Sequence, residues 1–459
     1  MDQVRKIRSS HSIDMCSGSI AKKMIVFALP LMLSGILQLL FNAADVIVVG
    51  KFAGDASLAA VGSTTSLINL TTNLFIGLSV GANVLTANYY AADKEDDLKS
   101  TVHTSMTLSI IGGIILTVSG VVFAPYILHL MNTPDDVIEL ATIYLRTYFC
   151  GMTAVMVYNF GSAVLRAIGD TKRPLYFLTL AGVINVCLNL IFVIKFNLGV
   201  LGVGMATVIS QIVSAALIVV CLIKEESSIK LHISKLKIDT HKLLRIIKIG
   251  LPAGIQGMLF SLANIVIQSS VNSFGTVVMA GNSASQNIEG FAFTSMNAFH
   301  QAAVSFTGQN AGARKYNRIN KILFTALGYV LIVGILFCII YIAFGEHLIG
   351  LYTDSPEVVS AGVKRLIIIA ASYAVCGMMD VVVGSLRGLG YSFMPMIVSL
   401  IGVCALRLIW LATVFQLEQF HKVEIIYYTY PISWTVTLIA HLICFFTVKK
   451  LIRKKWNII

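Results

Sequence analysis

The hydrophobic pattern of this chain is a series of long apolar segments separated by short polar ones. All of these segments exceed 20 residues, the length that an α-helix needs to cross a bilayer, whereas a membrane-barrel strand needs only about ten. The pattern therefore predicts an all-α membrane protein with twelve transmembrane helices. The twelve segments lie near 24–50, 57–90, 100–124, 137–165, 174–195, 200–223, 245–271, 277–308, 321–345, 359–386, 393–416 and 425–448.

The two halves of the chain resemble each other. Pro30 matches Pro252 at an offset of 222 residues, and Arg166 in an Arg-Ala-Ile-Gly run matches Arg387 in an Arg-Gly-Leu-Gly run. Six helices per half is an even number, so both halves should cross the membrane in the same direction, with a substrate cleft between them. We expect two pseudo-symmetric six-helix bundles. They are an N-terminal lobe of residues 1–223, a cytoplasmic inter-lobe loop of 224–244 and a C-terminal lobe of 245–459.

Composition and charge support a membrane protein. The chain of 459 residues is 57% hydrophobic and 12% charged, whereas soluble proteins carry about 25% charged residues. With a cytoplasmic N-terminus, the inner loops hold 27 of the 34 Lys and Arg residues. This asymmetry predicts a multi-pass protein of the inner (plasma) membrane with both termini cytoplasmic. The net charge of +12 thus reflects topology and contact with membrane lipid, and we expect no nucleic-acid partner.

A polar stripe runs along the first predicted helix. Gln38, Asn42 and Asp45 are four and three residues apart, so they share one helix face. A carboxylate inside a spanning helix costs about 2.5–3.5 kcal/mol on insertion scales, and such groups usually face an aqueous cavity. Asp45 is therefore our first candidate for a proton or cation site. The alternative is a snorkelling carboxylate, since Asp45 lies close to the predicted outer end of its helix.

The eighth predicted helix carries a second stripe with the same spacing. Asn282, Gln286 and Glu289 follow it, and the acid lies near mid-membrane at a rise of 1.5 Å per residue. We expect these three side chains to line the substrate cavity, and the alternative is a local hydrogen bond to a neighbouring helix. Asp380 and Arg407, on consecutive antiparallel helices, are further cavity candidates. Their opposite charges suggest an ion pair, either structural or switchable.

Several motifs together resemble the MATE (multidrug and toxic-compound extrusion) family. They are Pro30…Gln38…Asn42…Asp45-Val-Ile-Val-Val-Gly50, Leu165-Arg-Ala-Ile-Gly169, its echo Leu386-Arg-Gly-Leu-Gly390, and Gly308-Gln-Asn-Ala-Gly312. With the repeat, the resemblance covers nearly the whole chain. It implies an antiporter that exports hydrophobic, mostly cationic drugs or toxic compounds in exchange for H⁺ or Na⁺, with Asp45 as the first-span acid.

Two positions depart from known branches of that family. Where one branch has an acid in the fifth span, this chain has Asn189, four residues after Asn185. An amide can coordinate a cation but cannot carry a proton at physiological pH. Phe260 stands where another branch has a glutamate. The chain is therefore more similar to the DinF-like than to the NorM-like branch, and the choice between H⁺ and Na⁺ stays open. The expected ion-coupling set is Asn42, Asp45, Asn185 and Asn189.

Other function classes are less consistent with the sequence. A flippase for a lipid-linked carrier is the main alternative, but its cavity should be more cationic than these acids and amides. No phosphate-binding loop and no HExxH motif occurs, so we expect neither an ATPase nor another enzyme, and no cofactor beyond the coupling ion. The eight cysteines are scattered without a CxxC pair, which indicates neither a disulfide framework nor a metal site. The expected partners are an amphipathic small molecule and membrane lipid, with the protein as a monomer.

Overall fold

The computed structural model describes residues 11–131 and 133–456, apart from the side chains of residues 55, 453, 455 and 456. Helices make up most of this part of the chain, and it contains no strand. The α-helices are α1 Ile20–Phe52, α2 Asp55–Ala91, α3 Glu95–Leu130, α4 Asp135–Cys150, α5 Met152–Ala167, α6 Lys172–Asn189, α7 Gly199–Lys224, α8 Thr240–Asn272, α9 Thr276–Gly312, α10 Tyr316–Gly350, α11 Pro356–Gly388, α12 Phe393–Ser399, α13 Leu406–Ala412, α14 Val423–Tyr427 and α15 Thr429–Trp456. The predicted all-α class is confirmed.

The number of membrane spans is close to the predicted twelve. Within the described residues, ten helical segments are long and apolar enough to cross a membrane, or eleven if α4 and α5 form one span. The remaining predicted span, 277–308, forms α9, which is 37 residues long. The amides, serines and carboxylate of α9 lower its mean hydropathy below that of the other spans. The count of twelve and the two six-helix bundles remain predictions.

Three predicted spans contain a bend or an irregular turn. The helix predicted at 137–165 bends by 43° between α4 and α5, at Gly151. A β-carbon on Gly151 would lie 3.2 Å from Val208 of α7 and would overlap Gln211, so glycine permits this close approach. A π-helical turn, Leu190–Lys195, follows α6, and a second one, Leu400–Ala405, joins α12 to α13. Such turns widen the helix locally and often occur at functional sites.

Contacts between residues divide the chain into two units. The first unit contains Leu33–Gly254, and the second contains Met15–Met32 together with Ile255–Ile459. The divisions therefore fall inside α1 and α8, within three residues of Pro30 and Pro252. A proline inside a helix removes one backbone hydrogen bond and permits a bend. The predicted lobe boundaries at 223 and 245 rest on the sequence repeat and remain a prediction.

Within the first unit, the beginning of α8 crosses α2 at four glycines. A β-carbon on Gly250 would lie 2.6 Å from the backbone of Leu78, and one on Gly81 would overlap the carbonyl oxygen of Ile246. Gly77 and Gly254 meet in the same way, backbone to backbone. Each helix thus contributes a small-xxx-small motif, which allows two membrane helices to approach closely.

Within the second unit, the beginning of α1 packs on α9. Phe27 is fully buried, and its ring lies 5.8 Å from that of Phe306 in an edge-to-face arrangement. The segment before α1 is held by the end of α9, because Asn310 Nδ2 donates to the carbonyl oxygen of Met15 at 3.0 Å. Lys315 Nζ likewise donates to the carbonyl oxygen of Cys16 at 3.0 Å. The first helix of each repeat thus contacts the second helix of the other repeat, α1 with α9 and α8 with α2.

The segment between α7 and α8 is packed against α3 within the first unit. Ile229 and Leu231 are buried in its hydrophobic core. The backbone N–H of His232 donates to His103 Nε2 at 3.1 Å, and that of Asp239 donates to Thr104 Oγ1 at 3.0 Å. The predicted inter-lobe loop is therefore an ordered part of this unit rather than a loose linker.

Asp239 caps the beginning of α8. Its Oδ1 accepts hydrogen bonds from the backbone N–H groups of His241 at 2.9 Å and Lys242 at 3.2 Å, and its Oδ2 accepts one from Ser100 Oγ at 2.9 Å. Bonds from otherwise unpaired helix N–H groups favour a charged carboxylate. The backbone N–H of Lys242, followed by the Ser100 hydroxyl, lowers the pKa of Asp239 below its ordinary value.

Candidate ion-coupling and substrate sites

In the first unit, the structure joins Asp45 of α1 to the end of α6. Asn189 Nδ2 donates a hydrogen bond to Asp45 Oδ1. Asn189 is completely buried, whereas Asp45 is partly exposed. The carboxylate is thus bound to a buried amide and is itself partly exposed.

A chain of polar side chains continues from Asn189 into the unit. Asn189 Nδ2 also lies 3.4 Å from Asn185 Oδ1, and Asn185 Nδ2 lies 3.4 Å from Thr207 Oγ1 of α7. Asn189 Oδ1 is buried and has no hydrogen-bond partner in the described part of the chain. The π-helical turn begins directly after Asn189. Two amide oxygens and one carboxylate are therefore close together, a donor set that suits a proton or a hard monovalent cation.

Three of the four predicted ion-coupling residues meet in this network, namely Asp45, Asn185 and Asn189. Asn42 and Gln38 are exposed side chains on α1, one and two turns before Asp45. Thr207 was not predicted, because a single threonine in an apolar helix carries no distinctive signal. The functional roles of all these residues remain predictions.

In the second unit, Glu289 of α9 forms a buried ion pair with Arg365 of α11. Arg365 Nε lies 3.0 Å from Glu289 Oε1, and its Nη2 lies 3.0 Å from Oε2, so the contact is bidentate. Ser285 Oγ donates to Glu289 Oε1 at 2.9 Å, and Arg365 Nη1 donates to Asn282 Oδ1 at 2.9 Å. The contact to a neighbouring helix, considered above as the alternative, is thus what the structure places at Glu289.

The rest of the second stripe is bound to Gln268 of α8. Asn282 Nδ2 donates to Gln268 Oε1 at 2.7 Å, and Gln286 Nε2 approaches the same oxygen at 3.2 Å. Asn282 is fully buried, whereas Gln286 is exposed. Neither Arg365 nor Gln268 was predicted as a site residue, although an arginine inside a predicted span is itself a signal for a buried acid partner.

The predicted ion pair between Asp380 and Arg407 is not formed. Arg407, on α13, instead donates from Nε to Ser433 Oγ of α15 at 2.8 Å. The carbonyl oxygen of Asp380 lies 2.6 Å from His300 Nδ1, and its carboxylate is close enough to Arg387 of the same helix for an electrostatic interaction. Opposite charges on consecutive helices therefore do not meet here, because Arg407 is bonded to α15 and Asp380 lies near Arg387 of its own helix.

Aromatic rings surround the Arg407 guanidinium. Its Cζ lies 4.0 Å from the centroid of the Tyr430 ring and 5.4 Å from that of Trp434. A desolvated cation–π contact contributes about 2 kcal/mol, and one hydrogen bond to a charged group about 1.5–3 kcal/mol. Burial of an ion costs several kcal/mol, and Arg407 is only 3% exposed. These contacts therefore offset much of the cost but bring no opposite charge.

Comparison with known proteins identifies the family. The MatE family model matches the chain twice, over residues 30–191 and 252–412. The chain belongs to the MATE family. Members of this family are membrane transporters, not enzymes, so the protein is a membrane-embedded transporter. The two matched regions begin at Pro30 and Pro252, the same pair that marks the sequence repeat.

Relatives of this MATE protein cover most of its length. It is 28% identical over 430 residues to the probable multidrug resistance protein YoeA of Bacillus subtilis, covering 92% of each chain. It is 22% identical to the multidrug export protein MepA of Staphylococcus aureus, covering 80% of this chain and 82% of MepA. A solved outward-facing MATE transporter of the MOP superfamily superimposes with a TM-score of 0.91 at 20% identity, covering 97% of this chain and 100% of that one. At this identity, the last likeness establishes the fold alone.

Proposed function

We propose that this protein is a secondary active antiporter that exports hydrophobic, mostly cationic drugs or toxic compounds in exchange for H⁺ or Na⁺. The contact between Asp45 and Asn189 carries this proposal. It places a partly exposed carboxylate beside buried amides inside the helices, where a bound proton or Na⁺ would remove an unfavourable charge. The names of the relatives, multidrug resistance and multidrug export proteins, support the substrate class.

The proposed membrane arrangement has twelve spans. α4 and α5 form one bent span, and α9 forms another despite its polar side chains, because Glu289 and Asn282 are paired with Arg365. Both termini and the 224–244 segment then lie in the cytoplasm, which agrees with the distribution of Lys and Arg. We place the monomeric protein in the inner (plasma) membrane and in the DinF-like branch, since Asn189 and Phe260 lack the acids of the other branches.

Efflux of ethidium from proteoliposomes tests the function. A pH gradient and an Na⁺ gradient are imposed one at a time, and each is collapsed with its ionophore as a control. We expect one gradient to drive ethidium against its concentration difference and the other to have no effect. Efflux under neither gradient, combined with movement of a lipid-linked pyrophosphate carrier between leaflets, would instead support the flippase alternative.

A further inference from the structure

Arg407 is a buried cation of the second unit that forms no ion pair with a carboxylate among the described residues. Its side chain is 3% exposed, its Nε is bound to Ser433, and its Nη2 is buried without a hydrogen-bond partner in the described residues. A guanidinium has five N–H donors in a planar fork that matches the two oxygens of a carboxylate or phosphate. The unpaired part of this fork is therefore suited to an oxyanion that is not part of the protein.

Arg365, in the same unit, is a buried arginine whose charge is paired with a carboxylate. It is 2% exposed, and it has a bidentate bond to Glu289 and a bond to Asn282. Its Cζ lies 5.4 Å from the centroid of Tyr430, the ring that Arg407 approaches from 4.0 Å. Two guanidinium groups and one carboxylate thus surround a single tyrosine, which leaves one positive charge at this place.

The surroundings of Arg407 suit an aromatic compound. Tyr430 and Trp434 stand edge-to-face with centroids 5.4 Å apart, and Tyr373 contacts Trp434 at 5.6 Å. Tyr430 and Trp434 both lie in the first two turns of α15. Aromatic rings offer stacking surfaces to a planar ligand, while the arginine fork selects its acidic group.

We propose that Arg407 binds an oxyanion, a carboxylate or phosphate group, of the exported compound. This rests on the proposed export function and extends its substrate class to zwitterionic and acidic aromatic compounds. Cationic compounds that lack an acidic group do not use this contact, and their transport is independent of Arg407.

Matched dyes test the proposal in proteoliposomes of phosphatidylcholine. Rhodamine B carries a free carboxylate, and rhodamine B ethyl ester does not. We expect Arg407→Gln to lower the efficiency for the free acid, relative to that for the ester, at least about tenfold, because a hydrogen bond to a charged group is lost. Arg407→Lys keeps the charge but not the planar fork, and its efficiency for the free acid should lie between those of wild type and Arg407→Gln. Arg146→Gln alters an exposed arginine bonded to the backbone of Val121. It should change the export of neither dye.

The outcomes separate the two hypotheses. Equal export of both dyes by wild-type and Arg407→Gln would overturn the proposal, as would an equal loss for both dyes in the correctly folded Arg407→Lys variant. Failure of the wild-type protein to export even the ester would contradict the proposed function instead. A lipid headgroup is the other source of an oxyanion. If the dyes do not discriminate but phosphatidylglycerol stabilises wild-type and not Arg407→Gln, the ligand is a lipid phosphate, and the proposal for the exported compound is wrong.

Discussion

Asn189 on α6 donates a hydrogen bond to the carboxylate of Asp45 on α1, although 144 residues separate them in sequence. At position 189, one branch of the family has an acid, whereas this chain has an amide. The pair thus carries one ionisable group instead of two. Any proton-linked change at this place depends on Asp45 alone, while Asn185 and Asn189 can supply only neutral oxygen ligands.

We expect Asp45→Asn to reduce ethidium efflux to the level of empty liposomes while leaving the protein folded. The amide has nearly the same shape as the carboxylate but cannot bind or release a proton at physiological pH. Proteoliposome efflux measures the effect, and size-exclusion chromatography with thermal unfolding checks the fold. Asp354→Asn, at an exposed acid between α10 and α11, is the control and should transport normally. Efflux by Asp45→Asn at the wild-type rate would remove Asp45 from the mechanism.

Glu289→Gln should destabilise the second unit by about 3–5 kcal/mol, because it leaves the Arg365 charge buried without its partner. Thermal unfolding in detergent measures the loss. The double variant Glu289→Leu with Arg365→Met removes both charges and should recover much of it, since apolar replacements of buried pairs are often neutral. A single variant as stable as wild type would show that the ion pair contributes little.

Gly250→Ala should destabilise the protein by about 1–3 kcal/mol, the usual cost of overpacking. The added methyl group would lie 2.6 Å from the backbone of Leu78, which cannot move aside as a side chain can. Gly328→Ala on α10 is the matched control, because nothing lies within 4 Å of its added methyl group. It should be neutral or stabilising, since alanine favours helix more than glycine. Equal unfolding temperatures for the two variants would refute close packing between α2 and α8.

Asp239 should make the stability of the α8 cap dependent on pH. Its folded-state pKa is lowered, so its contribution is fully present above its unfolded-state pKa of about 3.9. The contribution is lost as the pH falls through the lower, folded-state pKa. Thermal unfolding between about pH 2 and pH 7 measures this loss. Asp239→Asn keeps a capping oxygen without an ionisable group and should lack this component, so identical pH profiles for the two proteins would contradict the prediction.

Some of the candidate sites could be predicted from spacing and some could not. The intervals between Gln38, Asn42 and Asp45 placed them on one helix face, whereas Asn185 and Asn189 were identified only through the family resemblance. The meeting of Asp45 with Asn189 was expected only through the family resemblance. The Asp380–Arg407 ion pair that the opposite charges suggested is not formed, because opposite charge on neighbouring helices does not determine depth or rotation about the helix axis. Arg365, which binds Glu289, could have been predicted as its partner, because it is a positive charge inside another predicted span.

The sequence by itself determined the all-helical membrane class, the repeat around Pro30 and Pro252, and the acids that need a partner. These follow from local properties, namely the length of apolar segments, the helical period and the cost of burying charge. Only the tertiary structure decided which partners those acids obtained and that α1 and α8 are each shared between two units. The reason is physical: close contacts such as Gly250 on Leu78 or Asn189 on Asp45 depend on the distance and rotation between helices, which many side chains set together.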